Sequence, residues 1–252
     1  MNLAARLRNA RRSAARLGAV PLRSALLRTL YPPHCAACDQ ALPTFLGLCV
    51  ACLETCEAIH IACPTCARPL PRATVSPCLG CSALNSSLTR CTAAFEYGGQ
   101  LAVALRRLKF SKRNDIAKSL QSVLQARFAE ASRSCDLAVA IPLHRSRLRE
   151  RGFNQAQRIL APLAAYEGLA EARTILRRLR STPSQTRLAR SQRIANLQGA
   201  FAASSRAKGK RILLLDDIRT TGATLEAAAQ ALLRAGASEI HGFVVARTEW
   251  EG

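Results

Sequence analysis

The chain has 252 residues, 49% of them hydrophobic, which suffices for one α/β domain with a sizeable core plus a small module. It carries 37 Lys and Arg against 16 Asp and Glu, a net charge of +21 that draws polyanions such as nucleic acid. No run approaches the ~20 apolar residues of a transmembrane helix, and the 4% aromatic content leaves few side chains for base stacking.

The first 30 residues hold seven arginines and no acid, with Leu3, Leu7, Ala10, Ala14 and Leu17 near one helical face. That pattern suits a basic, frayed, partly helical extension over 1–31, with Leu22 to Tyr31 docking on the cysteine-rich module next in the chain. A transit peptide shares the composition; a secretory signal does not fit, because Arg23 and Arg28 break its apolar stretch.

Ten of the eleven cysteines lie between Cys35 and Cys91. Four Cys-x-x-Cys pairs stand in regular order: Cys35/Cys38, Cys49/Cys52, Cys63/Cys66 and Cys78/Cys81. Such a turn aims two thiolates at one point, and two turns complete a tetrahedral zinc site. A disulfide framework would need an oxidising compartment, to which nothing directs the chain. The spacing therefore predicts two zinc ions in a double ribbon over 32–84. Four-cysteine sites leave no open coordination position, so both zincs are expected to be structural. Gaps of hairpin length favour pairing of neighbouring knuckles over a cross-brace, although both remain open. Cys56, Cys91 and Cys135 read as small buried residues or free thiols.

Beyond the polar stretch Ser82–Ser87, Thr92–Tyr97 reads as a strand and Gly98-Gly99 as a turn. Leu101, Leu105 and Leu108 share a helical face, and a second helix is expected from about Asp115 to Ala131. Leu137–Ile141 is a buried strand stopped by Pro142. It leads into a strongly basic loop, Leu143 to Gly152, whose His144 and up to four arginines, Arg145, Arg147, Arg149 and Arg151, could meet an anionic ligand. For His144, phosphate contact or simple exposure is favoured over a general-acid role. A helix from Phe153 to about Tyr166 contains Pro162, where a kink is expected.

From Leu137 to Arg211 there are sixteen Lys or Arg against three Glu. Nucleic-acid binding and a merely arginine-rich surface explain this equally well. Thr182–Arg193 is polar and basic without apolar period, as in an active-site flap, a nucleic-acid arm or a solvated connector.

The most informative stretch runs from Ile212 to Thr224. Ile212–Leu215 is a strand buried on both faces, and Asp216 and Asp217 stand where it ends. Thr220-Thr221-Gly222-Ala223-Thr224 then opens a strong helix former over Leu225–Arg234. Converging amides and a helix N-terminus make a phosphate site. The acids add a means of holding vicinal hydroxyls or hydrated Mg²⁺. No Lys follows Gly222 as in a Walker loop, so a sugar phosphate fits better than a nucleoside triphosphate. A final strand, Glu239–Arg247, follows a helix stop at Gly236. The alternation of strands and helices predicts a parallel sheet with right-handed crossovers.

The acidic loop resembles the 5-phosphoribosyl-1-diphosphate (PRPP) motif of type I phosphoribosyltransferases. From roughly Arg23 to Thr248 the order of segments resembles the ComF family (ComFC, GntX-like) of double-zinc-ribbon phosphoribosyltransferase proteins. The resemblance rests on Tyr31-Pro32-Pro33-His34-Cys35, the four knuckles, Tyr97-Gly98-Gly99, Leu108-Lys109-Phe110 and Pro142-Leu143-His144-Arg145. It continues through Arg149–Gln155, Asn196–Phe201 and the acidic motif. It implies a phosphoribosyltransferase-like domain over 90–252 and a cytoplasmic protein of natural transformation. Such a protein would handle single-stranded DNA beside a ComFA-type helicase and the DprA loader. It also implies PRPP with Mg²⁺ as ligand, Asp216 and Asp217 as the ribose-holding, catalytic acids, and Thr220 to Thr224 as the 5-phosphate loop. Arg219 lies at a position the family fills variably, either to bind an anion or to face solvent. An active transferase in nucleotide metabolism and a PRPP sensor without turnover remain as alternatives.

Overall fold

The computed structural model describes residues 33–42, 47–82, 85–110, 115–181 and 197–248. The basic extension over 1–31 and the polar run Thr182–Arg193 lie outside the described residues. The cysteine-rich segment contributes two short helices, α1 (Val50–Glu54) and α2 (Leu79–Ser82). Next in the chain are β1 (Arg90–Glu96), α3 (Gly99–Phe110), α4 (Asp115–Ser132) and β2 (Leu137–Ala140). After them come α5 (Arg145–Arg151), α6 (Gln155–Glu167), β3 (Ala170–Glu171), β4 (Leu176–Arg178) and β5 (Phe201–Ala203). The chain closes with β6 (Arg211–Arg219), α7 (Ala223–Arg234) and β7 (Glu239–Arg247).

Five strands form one parallel sheet in the order β1-β7-β6-β2-β3, and β4 pairs with β5 in a separate antiparallel hairpin. The expected parallel α/β class is observed, because both faces of the central strands are apolar and must be covered. Along β6, Leu213 and Leu215 join the core under α3, α4 and α6, whereas Ile212 and Leu214 join the core under α7 and the hairpin. On the first face Phe128 meets Phe243 edge-on at 5.3 Å between ring centroids. Leu101, Leu105 and Leu108 all point into that layer, as their spacing predicts.

Three expectations need correction. The basic segment after Pro142 is a helix over most of its length: His144 caps α5, and Gly152 ends it in the left-handed region at φ 76°. Second, β6 does not end at the acids but continues through Arg219 alongside β7. Third, β4 and β5 were invisible in the sequence, since three-residue strands are too short to show alternation. Helix α6 runs through Pro162 without interruption.

The cysteine-rich segment is joined to the sheet domain by many direct contacts. The Arg107 guanidinium donates to the Ala37 carbonyl at 2.8 Å and pairs with Asp39 at 3.0 Å. The Arg127 guanidinium donates to the Ile59 carbonyl at 2.7 Å. The Ile59 amide donates to the Ala94 carbonyl, the Glu96 amide to Glu57 and the Cys91 amide to Pro64. The segment therefore lies along β1 and covers an edge that would otherwise expose unpaired backbone groups. Among the described residues, no helix is long and apolar enough to cross a membrane.

Candidate metal centres and anion site

The eight knuckle cysteines gather into two groups, Cys35/Cys38/Cys49/Cys52 and Cys63/Cys66/Cys78/Cys81, with each group's sulfurs all within 4.8 Å of one another. Neighbouring knuckles thus pair, and there is no cross-brace. Both groups use the same local design. The amide of the first cysteine donates to a carbonyl further along, Cys35 to Gln40 and Cys63 to Arg68. The residue after the second cysteine, Asp39 or Ala67, has a positive φ, of 69° or 57°. The second knuckle of each group runs into α1 or α2.

The chemistry suits zinc. Cys38 and Cys49 sulfurs are 3.8 Å apart, as are those of Cys66 and Cys78. A tetrahedron with Zn–S bonds of about 2.3 Å has edges of about 3.8 Å. Burial works against ionisation of Cys35, but the amides of Cys38, Cys49 and Ala37 outweigh it and bring the thiol down to about 6. Cys63 is likewise opposed by burial and brought to about 7 by the amides of Cys78, Cys66 and Thr65. In each group one thiolate is therefore ready for a cation. Burial pushes Cys52 and Cys81 up first, with neighbouring cysteines adding to the effect. A divalent metal relieves that mutual repulsion. Cys56, Cys91 and Cys135 belong to neither group.

The anion site forms where β2 stops. Residues Leu137–Ala140 pair with Ile212–Leu215, and the Ile141 amide donates to the Leu215 carbonyl at 2.9 Å. Past that point β6 has a neighbour only on the β7 side. The amides of Asp217 and Ile218 are taken by carboxylates, donating to Oδ1 of Asp216 and of Asp217 at 2.9 Å each. The strand alternation slips here, so that Ile218 packs with the face of Leu213 and Leu215. Asp216 is held well above the ordinary carboxylate range, by burial first and by the adjacent Asp217 second.

Two cations, Lys109 and Arg178, lie within electrostatic reach of the acids, and Arg147 and Arg151 lie within reach of those cations. Lys109 at the end of α3 is partly buried, and its pKa is lowered by that burial and then by Arg151. Asp217 and Asp216 act on Lys109 in the opposite sense, and Arg147 reinforces Arg151. Arg178 on β4 is lowered by burial and by Arg147, against the pull of Asp216. Arg147 and Arg151 lie one helical turn apart on α5, so the helix turns them to one side. Arg145 and Arg149, which the sequence singled out, are exposed. His144 has its Nδ1 engaged, 2.8 Å from Ser146 Oγ and accepting from the Ser146 amide at 3.3 Å, which leaves Nε2 for a ligand. Asn154 donates to the Ile141 carbonyl at 2.9 Å and so fixes the turn after β2.

The loop Thr220 to Thr224 closes the site. Gly222 is the N-cap of α7 at φ 83° and provides no side-chain cap. The first amides of a helix have no intrahelical acceptor. Thr221 Oγ1 accepts from the Ala223 amide at 3.5 Å, and the amides beside it are the donors such an N-terminus offers to an anion. A β-carbon on Gly222 would lie 2.5 Å from the Arg219 guanidinium. Arg219 is therefore beneath the loop, only 8% exposed, and donates to Cys91 Sγ at 3.2 Å. It does not face solvent, contrary to one of the two sequence options.

Sequence reasoning missed Lys109 and Arg178 as site residues. Lys109 sat inside a recognisable motif, Leu108-Lys109-Phe110. For Arg178 only its place near the polar run gave a sign.

A parallel sheet with acids and an uncapped helix at one strand's carboxyl end, joined to two four-cysteine centres, defines a phosphoribosyltransferase-type domain with paired metal ribbons. The family model described as phosphoribosyl transferase domain matches residues 149–249. The DNA utilization protein YhgH of Salmonella typhimurium is 31% identical over 223 residues, covering 86% of this chain and 98% of that protein. Competence protein F of Haemophilus influenzae is 26% identical over 80% of the chain and 90% of its own length. Competence protein ComFC of Bacillus subtilis is 28% identical over 80% and 84%. The chain belongs to the ComF family. A solved structure of the allosteric regulatory enzyme of purine biosynthesis is 21% identical with a TM-score of 0.32, over 48% of this chain and 26% of that one.

Metal analysis of the purified protein should return about two zinc ions per chain, and acidification should release them as the thiolates protonate; one ion or none would contradict the paired-cluster geometry. The raised pKa of Asp216 makes a second prediction. Its contribution to stability is full below the unfolded value of about 3.9 and is lost as pH rises through the higher folded value. Asp216→Asn should therefore stabilise the fold at neutral pH, each tenfold rise in the folded carboxyl's proton affinity being worth about 1.4 kcal/mol. The gain should vanish below about pH 4. Calorimetric scans across pH check this; a variant less stable than the parent at pH 8 would contradict it.

Proposed function

We propose that this protein is a ComF-type competence factor whose anion site binds PRPP with Mg²⁺ and whose basic surface handles single-stranded DNA in the cytoplasm. The observation that carries the PRPP reading is the pairing of Asp216 and Asp217 with an uncapped helix start on one side and Lys109, Arg147, Arg151 and Arg178 on the other. In this reading the amides at Gly222 to Thr224 hold the 5-phosphate, and the two carboxylates accept from the ribose hydroxyls. The four cations hold the diphosphate, whose charge would otherwise repel the acids. Carboxylates and hydroxyls are the hard oxygen donors Mg²⁺ prefers, and the ion would neutralise part of the diphosphate. The domains are read as 1–31 extension, 32–84 double zinc ribbon and 90–252 phosphoribosyltransferase-like domain.

Turnover would require a developing positive charge at the ribose C1, stabilised by the carboxylates, with diphosphate leaving towards the cations. The names of the relatives, DNA utilization and competence proteins, support a DNA role over nucleotide synthesis. A ComFA-type helicase and DprA are the partners that role implies. A PRPP-gated DNA-handling protein without a free base as acceptor unites both sets of observations.

Isothermal titration with PRPP and Mg²⁺ should show saturable binding that Asp216→Asn with Asp217→Asn weakens at least about 100-fold, the scale of losing charge-assisted hydrogen bonds to a bound ligand. Unchanged affinity would move the PRPP site elsewhere. Single-stranded DNA affinity should fall steeply and linearly with log salt concentration, with a slope of about −0.7 per phosphate contacted. Salt-independent binding, or none, would remove the electrostatic basis of the DNA role.

A further inference from the structure

Register pairing places Arg219 of β6 directly beside Arg247 of β7. Both are buried, at 8% and 6% exposure, and among the described residues neither pairs with a carboxylate. Burying a guanidinium without an opposite charge is costly. Their polar contacts lead instead to carbonyls and sulfurs in and beside the second cysteine group, apart from Arg247 Nη1, which donates to the Thr248 carbonyl at 3.0 Å. Arg247 Nε donates to the Cys66 carbonyl at 2.9 Å, and its Nη2 lies 4.0 Å from Cys66 Sγ. Arg219 Nη1 donates to Cys91 Sγ at 3.2 Å, and the Cys91 amide donates to Pro64, between the two cysteines of that knuckle, at 2.7 Å. Cys63, Cys66 and Cys81 are themselves buried, whereas Cys38 in the first group is exposed.

We propose that Arg247 and Arg219 are positioning residues that balance the charge of the metal-loaded second cysteine cluster and support the anion loop from below, so that metal occupancy and anion binding are coupled. Four thiolates around one divalent metal carry a net charge of −2, which two arginines neutralise. Arg219 lies between the two sites, because its guanidinium underlies Gly222 and donates to Cys91, whose amide in turn donates to Pro64 of the Cys63/Cys66 knuckle. Without the metal cluster Arg219 loses the anionic surroundings that hold it under the loop. With a phosphate on the loop, it gains a second anion above. At the first cluster, Arg107 contacts the Ala37 carbonyl and pairs with the exposed carboxylate of Asp39, so the cation there already has an acid as its partner. The coupling to anions rests on the phosphate reading of the loop; the link to the metal does not.

The test follows the two clusters separately in the full-length zinc protein, by chelator-dependent alkylation of cysteines read by peptide mass spectrometry. In Arg247→Met and in Arg219→Met, Cys63, Cys66, Cys78 and Cys81 should become reactive at about 10–100-fold lower chelator concentration, the usual effect of removing a group that supports a metal ligand. Cys35, Cys38, Cys49 and Cys52 should be unchanged in the same molecules, which serves as the control for folding. Arg247→Lys and Arg219→Lys, which retain the charge, should recover much of the loss. Equal sensitivity of the two clusters, or Met variants that match the parent, overturns the proposal. PRPP with Mg²⁺ should slow metal loss from the second cluster only, and Arg219→Met should abolish that protection, because coupling between sites is reciprocal. PRPP that binds by calorimetry yet leaves both clusters equally labile overturns the coupling. PRPP that does not bind at all counts against the PRPP reading of the anion site, while the arginine–metal link is still decided by the variants alone.

Discussion

The unequal lengths of β2 and β6 set up the rest of the molecule. β2 stops at Ala140, while β6 continues to Arg219 with β7 on its other side. A strand that overhangs its neighbour has backbone donors and acceptors to satisfy, and here Asp216 and Asp217 satisfy two of the amides with their own side chains. The same overhang leaves room beside the acids for the turn after Pro142, for α5 and for the end of α3. Cations from three separate segments can then approach two carboxylates that repel one another. The raised pKa of Asp216 is the energetic signature of this crowding, and a polyanion with its metal is what would use it.

Closure at the other edge comes from the metal ribbons. β1 would be a bare edge strand, but Ile59, Glu57 and Pro64 bond to it, and α3 and α4 hold the segment through Arg107 and Arg127. A segment with so little core of its own gains order from sulfur–metal bonds and from these few anchors. Leu48, Cys35 and Cys52 contribute to the same apolar cluster as α3 and α4, so the ribbon is part of the core rather than an appendage. Metal chelation should consequently be felt inside the sheet domain as well as in the ribbon.

Long, regular features were legible in the sequence. The two-faced strand at Ile212–Leu215, the helix from Leu225 and the four cysteine pairs have strong periods or fixed spacings, and the structure places all of them as read. What could not be read depended on a local slip or on short elements. From Leu215, strict alternation would place Arg219 on the face of Leu213, but the slip at the acids turns it to the opposite layer, under Gly222. The basic run Arg145–Arg151 has a single apolar residue, Leu148, too few to reveal a helical period, and helix formation decides which arginines share a face. Resemblance located the motif residues without saying how their side chains are arranged.

The placement of the cations bears on how one protein combines a sugar-phosphate site with a nucleic-acid surface. If the excess positive charge served only DNA, its densest part could lie anywhere on the exterior. Instead Lys109 and Arg178 lie near the two acids with Arg147 and Arg151 of α5 close to them, while Arg145 and Arg149 of the same helix are exposed. One short helix thus presents cations to a small anion on one side and to solvent on the other. Occupancy of the inner site would neutralise Arg147 and Arg151 and weaken the field felt by a strand lying along Arg145 and Arg149. Opposite faces of a helix are about 10–12 Å apart, beyond the screening length of about 8 Å at physiological salt, so this effect is largely confined to low ionic strength. Under the proposed function, the inner and outer faces of α5 would therefore act as largely separate sites at physiological salt and be coupled only when salt is low.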